Sequence, residues 1–145
     1  MKILLLSLAL SLFTSTPMWN TDFDQAKVEA SKSHKNILIS FSGSDWCVPC
    51  IKMEKQIFEA DQFTSYATKD LVLVKADFPR LKKNKLSKEQ TKLNEQLAEA
   101  YNPHGNFPYT VLVDEGGKVL KVWDGLPASN ASQFVEEIKS FARLK

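Results

Sequence analysis

Two cysteines, Cys47 and Cys50, stand three residues apart in the stretch Ser44-Asp45-Trp46-Cys47-Val48-Pro49-Cys50-Ile51-Lys52-Met53-Glu54, and the chain has no others. After Cys47 the spacing is helical: Cys47, Cys50, Ile51, Glu54, Ile57 and Phe58 recur at three and four. Cysteines at i and i+3 on a first turn share one face, within reach of a sulfur–sulfur bond. Cys47 falls where backbone N–H groups lack partners and the helix dipole is positive, which favours thiolate over thiol. A thiolate is the species that attacks disulfides, so the pair reads as a redox dithiol. A bridge this short closes too small a loop to add much stability through chain entropy, which weighs for chemistry. Two alternatives stand beside it. One is a non-catalytic binding module with a structural Cys47–Cys50 bridge. The other is a metal site shared with His34 and His104, which a proline inside the pair and lone histidines in separate loops disfavour.

The pair needs a strand before it and a helix after it. Asn36-Ile37-Leu38-Ile39-Ser40-Phe41 is short, apolar and rich in β-branched residues, as a buried strand requires. The helix opened by Cys47 runs to about Ala60, with Pro49 in the first turn, where a missing N–H costs nothing. Asp61-Gln62 restarts a short helix through Phe63 and Tyr66, and Leu71 to Asp77 reads as a second central strand. Upstream, Asp22 to Ser33 reads as an amphipathic helix burying Phe23, Ala26, Val28 and Ala30, with Thr21 or Asp22 as cap. His34 reads as a solvated loop residue, and His104 as exposed rather than catalytic.

Downstream, Pro79-Arg80-Leu81-Lys82-Lys83-Asn84-Lys85-Leu86-Ser87-Lys88 is basic and poor in core residues. It reads as an insertion over about 79–90, leading into a helix at Lys88 to Ala100. Such a run is a solvated surface or, as the sharper reading, a docking patch for an acidic partner or anionic surface. Thr110 to Asp114 and Lys118 to Trp123 flank Glu115-Gly116-Gly117 as a β-hairpin. Gly125 either allows close backbone approach near the site or ends the strand. Ser129 or Asn130 caps a last helix carrying Phe134, Val135, Ile138 and Phe141 on one face. The order α-β-α-β-α-β-β-α implies an α/β fold, a mixed sheet with helices on both faces.

With 145 residues and 43% apolar content, the chain suits one globular domain. A net charge of +2 argues against nucleic acid as the main partner. Met1-Lys2, the apolar run Ile3 to Phe13 and the small residues Thr14-Ser15-Thr16 read as a signal peptide over residues 1–16, cleaved on export. The run is short for a membrane span, and no cysteine follows it to carry a lipid. The protein is therefore expected to be periplasmic or secreted, where a two-cysteine chain either handles disulfides or carries one structural bridge.

Trp46-Cys47-Val48-Pro49-Cys50 between strand and helix resembles the active-site motif of the thioredoxin superfamily. With Gly43, Lys52-Met53-Glu54 and Phe58 it is similar to secreted thioredoxin-like proteins and to the C-terminal domain of DsbD-type thiol:disulfide interchange proteins. The resemblance implies a three-layer α/β/α sandwich spanning residues 20–145. It implies a thiol–disulfide oxidoreductase in which an exposed Cys47 attacks and a more buried Cys50 resolves. Asn106-Phe107-Pro108 resembles the superfamily's cis-proline turn, so Pro108 is expected cis. The backbone of Phe107 would then lie along a substrate groove framed by Trp46, Val48, Pro49 and Pro108. Tyr109 stands where superfamily members often have threonine. The buried aspartate of thioredoxins is missing, its place falling at Ser40 or Phe41, which leaves Lys75, Glu54 or water to carry the proton. Val48-Pro49 lacks the histidine of strongly oxidising members, which points to a reductase or isomerase, and Asp45 is expected to oppose a thiolate. The resemblance implies no cofactor beyond the cysteine pair and no metal. It implies a monomer whose partners are disulfide-bearing proteins and an upstream electron donor or acceptor, a membrane-bound one being a candidate.

Overall fold

The computed structural model describes residues 16–142, so the segment read as a signal peptide lies outside the described residues but for its last position. Five strands form one sheet in the order β1-β3-β2-β4-β5: β1 (Trp19–Asn20), β2 (Asn36–Ser42), β3 (Leu71–Asp77), β4 (Tyr109–Val113) and β5 (Val119–Asp124). β3 runs parallel to both β1 and β2, while β4 is antiparallel to β2 and to β5. The five α-helices are α1 (Phe23–Ser33), α2 (Val48–Met53), α3 (Asp61–Asp70), α4 (Lys88–Tyr101) and α5 (Ala131–Ala142).

The pleat sorts the central strands between two cores. Leu38, Leu73 and Leu112 join Met53, Phe58, Phe63 and Phe134 beneath α2, α3 and α5. Their strand neighbours Ile37, Ile39, Val72, Val111 and Val113 meet Ala26, Ala30 and Leu97 of α1 and α4. Because both faces are covered, β2 and the first four residues of β3 are buried at nearly every position rather than alternating. The result is the expected three-layer α/β/α sandwich.

Asp22 caps α1, its carboxylate accepting from the N–H groups of Asp24 and Gln25. α1 lies on the sheet through the small residues Ala26 and Ala30. Val28 does not join that face and is 55% exposed. Two residues on from Ala26 is about 200° around a helix, so burying one exposes the other. β1 is an element the sequence pattern did not suggest. Trp19 pairs with Leu73 and packs its indole against Phe58, ring centroids 5.1 Å apart. α5 has a reciprocal cap: Asn130 Oδ1 accepts from Gln133 N, and Gln133 Oε1 accepts from Asn130 N. The cap thus falls to Asn130.

Candidate active site

β2 ends at Ser42, and the turn that follows delivers Cys47 to the start of α2. The N–H groups of Trp46 and Cys47 both donate to Gly43 O, at 3.2 and 2.9 Å. A side chain at 43 would lie 2.6 Å from Trp46 Cζ2 and Nε1, so the indole occupies the space that glycine leaves. Ser44 fixes the turn to the end of β3, its N–H donating to Asp77 Oδ1 and its hydroxyl to Asp77 Oδ2. Cys47 is the N-cap of α2, extended at φ −87° and ψ 101°, and its sulfur accepts from the N–H of Cys50 at 3.3 Å. Pro49 sits in the first turn. Beyond Met53 the helix continues as a π-helical turn, Glu54–Phe58, that buries Ile57 and Phe58.

Cys47 and Cys50 are joined as a disulfide, their Cα atoms 5.2 Å apart. The expectation of an exposed Cys47 beside a buried Cys50 is corrected here: they are 5% and 4% exposed. Neither residue of the oxidised pair presents appreciable surface. The intervening residues remain open, Val48 at 62% exposure and Pro49 exposed as well.

An aromatic rim stands beside the pair. Trp46 Nε1 donates to Phe78 O at 2.7 Å, and its ring meets Phe107 edge-on at 5.6 Å. Phe78 and Phe107 are 5.4 Å apart. The Arg80 guanidinium lies 3.5 Å from the Trp46 ring centroid, a cation–π contact that caps the indole. The Phe107–Pro108 peptide bond is cis. Since Phe41 pairs with Tyr109, Pro108 falls opposite Ser42, at the edge from which the Cys47 turn departs. Two fixtures hold this loop. Buried Asn102 donates to Asn106 O and accepts from Asn106 N, at 2.9 and 3.1 Å. Gly125, at φ +90°, donates its N–H to Pro108 O at 2.9 Å. It therefore serves both readings, closing β5 and gripping the proline loop.

Beneath α2 a polar row crosses the sheet. Thr110 pairs with Ser40, and Ser40 with Lys75. Ser40 and Thr110 are buried, and the Thr110 hydroxyl faces Met53 Sδ at 3.9 Å. Phe41 points the other way, into the core under α1 and α4. Ser40 is thus the residue on the α2 face where a buried aspartate was sought. Lys75 Nζ bonds Glu54 Oε2 at 2.8 Å and lies 4.7 Å over the Trp19 ring. Glu54 follows Cys50 by four residues, one helical turn. Both residues are about a third exposed or less, with side-chain exposures of 35% for Glu54 and 26% for Lys75. The structure therefore joins them to each other, with no hydrogen bond from either to a sulfur among the described residues.

Asp45, expected to oppose a thiolate, reaches across to the basic stretch. Its carboxylate accepts from Arg80 N, Leu81 N and Asn84 Nδ2 at 2.9, 3.0 and 2.9 Å. The Arg80 N–H, then the Asn84 amide, hold this carboxyl below its ordinary range, against a smaller opposing effect of burial. Sequence reasoning missed this clasp, because its partners lie 35 to 39 residues away. It missed Asn102 for lack of any signal beyond a polar residue before a proline. His34 caps α1 in a left-handed conformation, φ 54°, and faces Glu115 at 3.6 Å. His104 is exposed. Among the described residues no three of His, Cys, Asp and Glu gather as a metal-binding group.

The model of the thioredoxin-like domain family matches residues 23–142. The chain is 36% identical over 123 residues to the disulfide bond reductase DsbH of Chlamydia pneumoniae, covering 85% of this chain and 72% of that protein. A solved DsbH oxidoreductase superposes with a TM-score of 0.82 at 31% identity, covering 97% of this chain and 94% of that one. The C-terminal domain of Neisseria meningitidis DsbD, in oxidised form, shares the fold at a TM-score of 0.58 and 15% identity, covering 81% and 90%. The chain belongs to the thioredoxin-like family, as a DsbH-like thiol–disulfide oxidoreductase built on a Cys47-x-x-Cys50 disulfide.

Proposed function

We propose that the protein works outside the cytosol on polypeptide disulfides, as a reductase or isomerase, with Cys47 as nucleophile and Cys50 as resolving thiol. In the reduced enzyme the Cys47 thiolate attacks one sulfur of a substrate disulfide. A Cys47–substrate bond forms, the substrate S–S bond breaks, and the departing thiolate takes a proton. Cys50 then gives up its proton and attacks Cys47 Sγ, releasing the second substrate thiol. Two electrons have passed to the substrate, and the enzyme is left in the disulfide state. An external dithiol protein, with a membrane-bound donor a candidate, returns the pair to the reduced form.

The observation that carries this reading is the Cys50 N–H aimed at Cys47 Sγ from the first turn of α2, at 3.3 Å. It stabilises charge on that sulfur in particular. Trp46, Val48, Pro49 and the Phe107–Pro108 turn line the groove in which an extended substrate lies. For the Cys50 proton the acceptor is Glu54, a turn beyond Cys50 and bonded to Lys75, or Lys75 itself, or water. Val48-Pro49 without histidine supports the reducing direction, as does the name disulfide bond reductase carried by DsbH. The apolar run Ile3 to Phe13 after Lys2 supports export and cleavage.

Reduction of insulin with dithiothreitol as donor tests the chemistry. Wild type accelerates it and Cys47→Ser does not; equal rates for the two overturn the nucleophile assignment. A potential near about −120 mV, the strongly oxidising end for such pairs, overturns the reducing direction.

A further inference from the structure

We infer that the clasped basic loop is a substrate-docking site that takes an acidic, leucine-like segment of the polypeptide whose disulfide is being exchanged. The inference rests on the oxidoreductase reading and adds the class of substrate it prefers.

The loop is a built part of the rim. Asp45, two residues before Cys47, holds the Arg80 and Leu81 N–H groups and the Asn84 amide, which fixes the path of the chain. Arg80 lies on Trp46, and Phe78 holds the Trp46 N–H. Behind Phe78 and Arg80 the loop and the start of α4 enclose a cavity of about 360 Å³. Its apolar lining is Phe78, Pro79, Leu81 and Leu86, and its charged lining is Arg80, Lys82 and Lys85 with Asp77. That volume, at the small end for a binding pocket, has room for one or two large side chains. Leu81 is 49% exposed, apolar surface left open beside the cavity.

Charge selects the occupant. Residues 79–88 carry Arg80, Lys82, Lys83, Lys85 and Lys88 and no acidic residue. The neighbouring carboxylates are hydrogen-bonded, Asp45 to the loop backbone and Asp77, which itself lines the cavity, to Ser44 and Phe78. Among the described residues none of these five cations has an ion-pair partner within 4.0 Å. A largely apolar cavity whose lining carries Arg80, Lys82 and Lys85 against the single Asp77 fits a polypeptide in which glutamate or aspartate flanks a large aliphatic residue. A nucleic acid or membrane surface would use the charge and leave the cavity without an occupant. Position agrees, since Phe78 and Arg80, which line the cavity, also hold Trp46, and Phe78 meets Phe107. Side-chain burial gives affinity there, and complementary charge gives the on-rate and the discrimination.

The test uses the exported chain with its disulfide intact and cysteine-free fluorescent peptides, so binding is read without turnover. A Glu-Leu-Glu peptide is expected to bind, at least about tenfold more tightly than its Lys-Leu-Lys or Glu-Ser-Glu counterparts. The affinity falls by a similar factor in Lys82→Glu/Lys85→Glu, and falls again as salt rises from about 50 to about 500 mM. The milder Lys82→Gln/Lys85→Gln variant, with the fold checked by circular dichroism, gives an intermediate loss. Equal affinity for the three peptides, or no change in either variant, overturns the inference. So does a loop-dependent preference for anionic vesicles or single-stranded RNA over the acidic peptide. Reduction of hydroxyethyl disulfide by the reduced wild-type protein is measured alongside. Its absence sinks the oxidoreductase reading, whereas peptide selectivity alone decides the docking site.

Discussion

Reducing the Cys47–Cys50 bond should scarcely change the stability of the fold, and the size of the change separates a working dithiol from a structural bridge. The bond closes a loop with a sequence separation of 3. Chain entropy assigns such a loop about 2 kcal/mol at 25 °C, the low end for disulfides. Reduction brings offsetting contributions. The Cys50 N–H already points at Cys47 Sγ, and a hydrogen bond to a charged acceptor contributes about 1.5–3 kcal/mol. The free end of α2 adds about 0.3–1 kcal/mol for a negative group at its cap. The two sides nearly cancel, so oxidised and reduced protein should differ by less than about 2 kcal/mol in either direction. Urea unfolding at neutral pH, followed by far-ultraviolet circular dichroism with and without dithiothreitol, reads the difference from two midpoints and a shared slope. A loss above about 4 kcal/mol on reduction would refute the reasoning and favour a bridge that holds the domain together.

Two other perturbations address the loops around the pair. Asn102→Ala removes two hydrogen bonds that brace the approach to Pro108 and should cost about 2–4 kcal/mol in denaturant unfolding; a loss under about 1 kcal/mol would mean the loop needs no brace. The Asp45 clasp should depend on pH in one direction. Its folded titration lies below the unfolded value, so the clasp is complete above the ordinary aspartate range and is lost as pH falls through the lowered folded value. Trp46 fluorescence should report that release in wild type and not in Asp45→Asn, and the same acid transition in both would remove Asp45 as its cause.

Where local pattern decides structure, the chain could be read directly. The change from an apolar run to a three-and-four spacing at Cys47 marks β2 and α2, because a strand covered on both faces and a helix covered on one leave different periods. The hairpin, a cap at Ser129 or Asn130 and the strand at Leu71 to Asp77 follow from the same kind of signal, and the structure decides the cap for Asn130. β1 is too short at two residues to carry a period, and it exists because Trp19 finds Phe58 and Phe63 across the fold. Val28 failed as a core residue because Ala26 and Ala30 define the packed face, and hydrophobicity alone does not show which face wins. In the site, Cys47 and Cys50 announce themselves by type and spacing, but their equal burial follows from neither. The Asp45 clasp and the seat of Arg80 on Trp46 are contacts between distant segments, and a run of lysines gives no hint that its backbone is held. Of the two positions weighed for a missing aspartate, only the pleat reveals that Ser40 faces α2 and Phe41 does not.

Mass spectrometry of reduced Cys50→Ser after mixing with a disulfide-bonded polypeptide bears most directly on the chemistry. A covalent adduct of one substrate chain on Cys47, released by dithiothreitol and absent from Cys47→Ser, is the predicted result. An unmodified Cys47 under conditions where wild type turns the same substrate over would contradict it.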